Sequence, residues 1–210
     1  MSKYLIYIIG FAAQLLFSAR IIIQWIMSEK AKKVVSPTIF WVLSLIAAYL
    51  LFIYGWLRED FAIMLGQVIS YYIYIWNIKQ KDAWKYFPLI LKIPLIITPI
   101  IGIGYIVHDW QEFVNQCFKN SDIPLALLIY GSIGQVTFTL RFIYQYYYSK
   151  KLNESMLPAG FWIISLTGSI IIISYGILRL DPVIILGQSF GFLSYIRNLI
   201  IIKKSKKAAQ

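Results

Sequence analysis

An internal repeat constrains the fold of this chain more strongly than any other feature of its sequence. Residues 14–77 align without a gap to residues 135–198 at a constant offset of 121 positions, and 24 of the 64 aligned columns are identical. The shared pattern is Q-x2-F-x2-R-x3-Q-x3-S-x8-P-x2-F-W-x2-S-x9-Y-G-x2-R-x-D-x5-G-Q-x6-Y-x2-N. Self-similarity at a fixed period indicates a duplicated structural unit. A site built from the repeated residues is therefore expected twice, or once between the two copies.

Long apolar segments indicate the environment of this unit. The chain is 60% apolar and only 14% charged, whereas a soluble domain typically carries about 25% charged residues. A helix of roughly 20 apolar residues crosses the hydrocarbon core of a bilayer. Seven segments approach or exceed that length: residues 4–27, 38–56, 61–78, 87–107, 124–148, 159–178 and 182–202. The sequence predicts an all-α integral membrane protein with seven transmembrane helices.

The repeat divides these helices into a 3+1+3 plan. The predicted parts are a first three-helix repeat at 1–80, a linker helix and outer loop at 81–122, a second three-helix repeat at 123–203 and a basic tail at 204–210. A three-helix unit repeated directly would enter the membrane inverted, so the linker helix makes the two copies parallel. Parallel repeats related by an axis along the membrane normal are one plan that transporters use. A site between the two halves is expected.

The distribution of basic residues predicts the orientation. If successive helices alternate in direction, one side of the membrane receives twelve basic residues and the other side receives four. The twelve are Lys30, Lys32, Lys33, Lys79, Lys81, Lys85, Lys150, Lys151, Lys203, Lys204, Lys206 and Lys207, and the four are Lys3, Arg58, Lys119 and Arg179. The positive-inside rule then places the N-terminus outside and the C-terminus in the cytoplasm. The basic loops are expected to contact anionic lipid headgroups rather than nucleic acid.

Arg20 and Arg141 are the leading candidates for chemistry. Each lies inside an apolar segment, about 10 Å from its cytoplasmic end at about 1.5 Å per residue. Ionisable groups at such depth usually face a cavity or a partner, and a guanidinium fork binds phosphate or carboxylate bidentately. The alternatives are that the arginines extend to the interface or brace neighbouring helices.

Repeated polar and aromatic side chains share helix faces with these arginines. The predicted substrate-binding set is Gln14, Phe17, Arg20, Gln24, Trp41, Gln67, Tyr74 and Asn77 in the first copy, and Gln135, Phe138, Arg141, Gln145, Trp162, Gln188, Tyr195 and Asn198 in the second. The tryptophans either stack on a sugar ring or simply pack. Two pairs in short outer loops, Arg58 with Asp60 and Arg179 with Asp181, are predicted to cap a helix or to form an outer gate.

Motifs of catalysis are missing from the sequence. Cys117 is the single cysteine, which excludes an internal disulfide and a cysteine-based metal cage. There is no glycine-rich phosphate loop, nucleophile elbow, metal-ligand cluster or carboxylate pair in the apolar segments. The sequence therefore predicts no metal, no cofactor and no enzymatic activity.

The repeated motif resembles the bacterial lipid A biosynthesis N-terminal domain family. The second copy also carries the family's D-P-V and R-N pairs as 181–183 and 197–198, whereas the first copy has Phe61 and Trp76 at the corresponding places. The resemblance implies a relation to the PQ-loop, SWEET and SemiSWEET group, whose members facilitate passage of sugars or amino acids. It also implies a pathway context near polyprenyl-phosphate glycosyltransferases. The family is named for its fusion to lipid-A-disaccharide synthase, but the resemblance implies no such activity for these residues.

These features lead to one functional hypothesis with two alternatives. The hypothesis is a transporter or flippase for a phosphate-bearing lipid-linked sugar, such as an undecaprenyl-phosphate-linked hexose used in envelope glycan or lipid A modification. The paired arginines would hold the phosphate. The alternatives are a SWEET-like facilitator of a small free sugar, and a non-catalytic membrane subunit that docks a glycosyltransferase through its basic loops.

Overall fold

The protein is described by a computed structural model that covers residues 3–57, 61–108, 110–111, 124–178, 180 and 182–208. The described residues form seven α-helices, one short 3₁₀ helix and no strand, which confirms the predicted all-α class. In chain order they are α1 (Lys3–Ala31), α2 (Thr38–Leu57), α3 (Phe61–Gln80), the 3₁₀ helix (Ala83–Tyr86), α4 (Leu89–His108), α5 (Leu125–Leu152), α6 (Ala159–Leu178) and α7 (Pro182–Ala208).

The duplication is visible in how the helices begin and end. Lys32 follows α1 and Asn153 follows α5, 121 positions apart, and both adopt left-handed backbone with φ of 53° and 51°. The backbone N–H of each donates to the carbonyl three residues earlier, at 3.2 Å in both copies. Pro37 and Pro158 precede the second helix of each copy, where a missing N–H leaves no helical hydrogen bond unmade. The two copies therefore share their local turn geometry as well as their side chains.

In the part of the chain that the structure describes, three helices are long and apolar enough to cross a membrane by length and composition, namely Tyr4–Ala31, Thr38–Leu57 and Ala159–Leu178. A shorter apolar stretch, Leu89–Gly104, lies in α4. The outer surface of the helices is rich in large apolar side chains, and Leu15 and Ile90 are 71% and 78% exposed. Water would disfavour so much exposed apolar surface, whereas a bilayer is compatible with it. The chain is a membrane protein.

Six of the seven helices form a closed ring. Within each copy the second helix lies between the first and the third, so α2 contacts α1 and α3, and α6 contacts α5 and α7. The copies meet where α3 contacts α5 and where α1 contacts α7. The same kind of contact, third helix of one copy against first helix of the other, thus occurs twice. This reciprocal arrangement is that of a pseudo-two-fold axis.

The α4 helix lies outside this ring. It contacts α2, where the hydroxyls of Tyr49 and Thr98 lie 3.2 Å apart. The Tyr72 hydroxyl on α3 donates to the Ile96 carbonyl of α4 at 3.3 Å. Most of its large apolar side chains are exposed. The helix that joins the two copies therefore contributes little to the interior between them.

Gly168 lies where α5 and α6 approach each other closely. A Cβ atom added at Gly168 would lie 2.9 Å from the Phe138 Cα, which is backbone and cannot move aside easily. We expect Gly168→Ala to lower the free energy of unfolding by about 1–3 kcal/mol, because the extra methyl overpacks this contact. Thermal unfolding in detergent measures the change. Gly104→Ala is the matched control, since a Cβ there meets nothing within 4 Å. Equal losses of stability in Gly168→Ala and Gly104→Ala would contradict this role of Gly168.

Candidate functional site

Arg20 and Arg141 lie inside the ring, and each is only 4% exposed. The Arg20 Nη1 donates to the Ser44 Oγ at 2.6 Å and to the Tyr74 Oη at 3.3 Å. The Arg141 Nη1 donates to the Tyr195 Oη at 3.1 Å. The Nε atoms of both arginines are buried and make no hydrogen bond. Each guanidinium is thus only partly satisfied by the protein.

Aromatic rings surround both guanidinium groups. The Arg20 Cζ lies 4.5 Å from the centre of the Phe17 ring, and the Arg141 Cζ lies 3.4 Å from that of Phe138. The Phe142 ring lies near both arginines, with its centre 5.5 Å from the Arg20 Cζ and 4.6 Å from the Arg141 Cζ. Ring faces attract cations at such distances. Two cations from the two copies therefore meet around one phenyl ring.

No carboxylate among the described residues pairs with either arginine. The three described carboxylates are Glu29, Asp82 and Glu154, near or beyond the ends of α1, α3 and α5. Glu29 is in an ion pair with Arg197. Ring faces and hydroxyls offset only part of the desolvation of a guanidinium. The electrostatic character of this site is therefore strongly positive.

Reciprocal amide pairs join the two copies. On one side the Gln24 Nε2 donates to the Asn198 Oδ1 at 2.9 Å, and the Asn198 Nδ2 donates back at 3.2 Å. On the other side the Gln145 Nε2 donates to the Asn77 Oδ1 at 2.9 Å, and the Asn77 Nδ2 donates back at 3.0 Å. All four side chains are fully buried. The first helix of each copy thereby bonds the third helix of the other.

Each glutamine also orders the loop that follows its helix. The Gln24 Nε2 donates to the Ser28 Oγ at 2.9 Å, and Ser28 in turn accepts the Val35 N–H at 3.1 Å. The second copy repeats both contacts, with Gln145 to Ser149 at 2.9 Å and the Met156 N–H to Ser149 at 3.0 Å. The repeated Q-x3-S pattern is therefore a structural element that closes the loop before the second helix.

The structure separates the predicted residues into groups. Tyr74 and Tyr195 bond the arginines, and Phe17 and Phe138 stack on them. Gln14 and Gln135 are exposed, and Gln67 and Gln188 are half-buried, with Gln188 accepting from Ser169 at 3.1 Å. Arg58, Asp60, Arg179 and Asp181, the predicted caps or gates, lie outside the described residues. Substrate contact by any of these side chains stays a prediction.

Trp41 and Trp162 are core residues, at 0% and 1% exposed. Each packs edge-on against the preceding phenylalanine, with ring centres 4.8 and 4.9 Å apart. The Trp41 Nε1 donates to the Ser36 Oγ at 2.8 Å. The position equivalent to Ser36 is Leu157, and the Trp162 Nε1 accordingly has no hydrogen-bond partner. Their burial favours the packing interpretation over stacking on a sugar.

Two features of the site were not found from the sequence. Phe142 has no repeated counterpart, because the equivalent residue is Ile21, so the repeat gave no signal for it. The second is the Glu29–Arg197 ion pair between α1 and α7, in which the Arg197 Nη2 lies 3.0 Å from the Glu29 Oε2. The equivalent positions are Lys150 and Trp76. Between α3 and α5 the contact is instead aromatic, with the Trp76 and Tyr146 rings 4.9 Å apart.

Both repeats match the profile of a known protein family. The profile of the family described as the lipid A biosynthesis N-terminal domain matches the chain twice, over residues 9–79 and 130–200. These two ranges are themselves offset by 121 positions, so the matches fall on equivalent parts of the duplication. The resemblance seen in the motifs is confirmed. The relation to the PQ-loop and SWEET group stays a prediction.

Curated relatives resemble the chain over nearly its whole length. They include the lipid-A-disaccharide synthases of Chlamydia felis, with 30% identity over 97% of this chain, and of Chlamydia caviae, with 32% identity over 97%. The enzyme of Chlamydia pneumoniae is 30% identical over 98% of this chain. The alignments cover 34% of the first two relatives and 35% of the third, so the chain spans about a third of their length. No solved structure matches the chain.

These relatives correct the functional predictions made from the motifs. The prediction of a transporter or flippase is wrong, because the proteins that match the whole chain are named lipid-A-disaccharide synthases, which are enzymes. The prediction that the chain has no enzymatic role is wrong for the same reason. The same relatives contradict the two alternatives, a free-sugar facilitator and a non-catalytic docking subunit. The residues that lack catalytic motifs align with only about a third of each relative.

The amide pairs make a testable contribution to stability. Asn77→Leu leaves the buried Gln145 Oε1 without its donor, and we expect a loss of about 1–3 kcal/mol in the free energy of unfolding. The double variant Asn77→Leu/Gln145→Leu should lose less than the sum of the two single variants, since both members of the pair are then apolar. Thermal unfolding in detergent measures all three. Gln135→Leu is the control, because Gln135 lies on the same helix as Gln145 but is exposed. Strict additivity of the two single losses in the double variant would refute the pairing.

The ion pair between α1 and α7 makes a smaller contribution. Glu29 and Arg197 are 36% and 40% exposed, so Glu29→Gln should lower the stability less than Asn77→Leu does. The loss should shrink at about 1 M salt, where exposed charges are screened. The exchange variant Glu29→Arg/Arg197→Glu should recover stability at low salt. A loss that is independent of salt would show that the charges do not matter here.

Proposed function

Because this chain belongs to the lipid A biosynthesis N-terminal domain family, we propose that it works in the synthesis of a lipid A disaccharide, as the membrane-embedded part of a glycosyltransferase of the lipid-A-disaccharide synthase type. The observation that carries the proposal is the similarity to such enzymes over 97% of the chain. The all-helical membrane fold supports it, because the acylated sugars that are joined in such a reaction reside in or on a membrane.

The part assigned to this chain is to bind and orient the acylated sugar. Joining two sugars requires both to be held in a reactive geometry, and such positioning supplies a large share of enzymatic rate acceleration. A lipid-linked sugar diffuses in the plane of the membrane, so a protein within that plane is well placed to hold it. The buried arginines on α1 and α5 offer the strongest recognition element for an anionic group of such a substrate. The remaining predicted substrate contacts, among them Gln67 and Gln188, are proposed as further contacts to the same substrate.

The proposed arrangement in the membrane is the 3+1+3 plan with seven spans. Its parts are the repeats at 1–80 and 123–203, the linker at 81–122 and the tail at 204–210. The exposed lysines near the ends of α1, α3, α5 and α7 support a cytoplasmic location for those ends. The N-terminus is then outside the bacterial inner membrane. The lysines would contact anionic lipid headgroups, and a polyprenyl-phosphate glycosyltransferase as partner stays a prediction.

Deletion of the gene in its native host tests the function. We expect the lipid A disaccharide to fall and its acylated monosaccharide precursor to accumulate, as measured by mass spectrometry of extracted lipids. Wild-type chain should restore the disaccharide, whereas Arg20→Ala/Arg141→Ala should restore it at least about tenfold less, because a buried charge contact is lost at each position.

The control for this test changes the same number of repeated residues. Lys30→Ala/Lys151→Ala lies on the same two helices at exposed positions and should restore the disaccharide as wild type does. An unchanged ratio of disaccharide to monosaccharide after deletion would refute the proposed function.

A further inference from the structure

The two buried arginines occupy equivalent positions but differ in how well the protein satisfies them. The Arg20 Nη1 has two hydroxyl partners, Ser44 at 2.6 Å and Tyr74 at 3.3 Å. The Arg141 Nη1 has one, Tyr195 at 3.1 Å. Ser44 and its equivalent Ser165 both donate to the carbonyl four residues earlier, but of these two described serines only Ser44 also accepts from its arginine. More of the five guanidinium donors are left to bind a ligand at Arg141 than at Arg20.

Stacking increases this difference. The Arg141 Cζ lies 3.4 Å from the centre of the Phe138 ring, whereas the Arg20 Cζ lies 4.5 Å from the centre of Phe17. A guanidinium stacked on a ring is held in a fixed plane, so its free N–H groups are directed before a ligand arrives. The Arg20 group is instead fixed by its hydroxyl partners. Arg141 is therefore the better prepared anion ligand.

The two cations also repel one another. Both lie within 6 Å of the Phe142 ring centre, and no described carboxylate pairs with either. Burial of a guanidinium is costly unless its charge and its donors are matched. An anion placed between the two copies would match both charges and would give the two buried Nε atoms a partner.

A phosphate monoester is the anion that suits two guanidinium groups. It carries a charge of about −1.5 to −2 at neutral pH and three strong acceptor oxygens. A carboxylate offers one charge and two oxygens, which a single arginine fork already satisfies. A neutral sugar hydroxyl brings no charge to offset the repulsion. The rings of Phe17, Phe138 and Phe142 keep the surroundings apolar, which strengthens a charged hydrogen bond.

We propose that Arg20 and Arg141 form a single anion site between the two repeats, that this site binds a phosphate monoester, and that Arg141 is its principal ligand. The source of the phosphate rests on the proposed function, where it is carried by an acylated sugar. Arg20 acts as the second, more fixed charge. The duplication thus supplies two arginines, and departures from its symmetry give them different roles.

Lipid binding to the purified full chain in a maltoside detergent tests this site. Native mass spectrometry with short-chain phosphatidic acid should show one bound molecule on the wild type. Arg141→Gln should weaken this binding at least about tenfold, the loss of one charge-assisted contact, and Arg20→Gln should weaken it less. Lys203→Gln/Lys204→Gln, which removes two exposed cations, should bind within about twofold of wild type if the buried site dominates.

The choice of probes separates the sources of the phosphate. Inorganic phosphate and glucosamine 1-phosphate are tested beside phosphatidic acid, with short-chain phosphatidylcholine as the zwitterionic control. Tighter binding of phosphatidic acid than of both soluble phosphates supports an amphiphile as ligand. Equal or tighter binding of a soluble phosphate at the same arginines overturns the lipid source. Equal binding of phosphatidylcholine overturns the monoester assignment.

Two further outcomes decide the roles of the arginines. Binding of phosphatidic acid by Arg141→Gln as tightly as by wild type, or a greater loss in Arg20→Gln than in Arg141→Gln, overturns the proposal. If Arg141→Gln fails to fold, Arg141→Lys replaces it, since it keeps the charge but loses the fork. At least about threefold weaker binding then supports the site, and unchanged binding overturns it. The assay involves no glycosyl transfer, so its failure leaves the proposed function standing, and the gene-deletion result is judged separately.

Discussion

Polar side chains buried in an apolar helical bundle have to find their hydrogen-bond partners within the protein, and this requirement explains how the two copies meet. Gln24 and Asn77 lie on different helices of one copy and do not bond each other. Gln24 bonds instead Asn198, the equivalent of Asn77, and Asn77 bonds Gln145, the equivalent of Gln24. A single copy would leave the amide oxygens of both side chains without these donors, at the cost of buried unpaired acceptors. The amide pairs therefore tie the stability of each copy to the presence of the other.

The same requirement for hydrogen-bond partners shows which buried polar groups remain available to a ligand. The amides satisfy each other, and the serines close the loops that follow the first helix of each copy. The arginines alone have buried donors without partners on both copies, at the Nε of Arg20 and of Arg141. Because the buried repeated amides and serines are used for structure, the two partly satisfied cations are the groups that remain for a ligand. This contrast is the physical basis for assigning them to substrate recognition.

Departures from the repeat are as informative as the repeat itself. Phe142 stands where the first copy has Ile21, and its ring centre lies within 6 Å of both cations. Glu29 and Arg197 hold α1 to α7, while Trp76 and Tyr146 hold α3 to α5. After duplication, each copy has thus been free to change the contacts it makes across the interface. The symmetry of the backbone is kept, but the chemistry of the two interfaces differs.

The sequence by itself determined the duplication, the all-helical class, the membrane environment and the position of Arg20 and Arg141 within apolar segments, because fixed spacing and long apolar segments follow directly from the order of residues. It did not determine which polar groups bond each other. Helical faces place Gln24 beside Arg20 and Asn77 beside Tyr74, which suggested one shared set of ligands. Only the tertiary structure decided that the amides pair across the copies while the arginines remain partly free, because that choice depends on how closely the third helix of one copy approaches the first helix of the other. The residues at 58–60, 179 and 181, where caps or gates are predicted, lie outside what the structure describes.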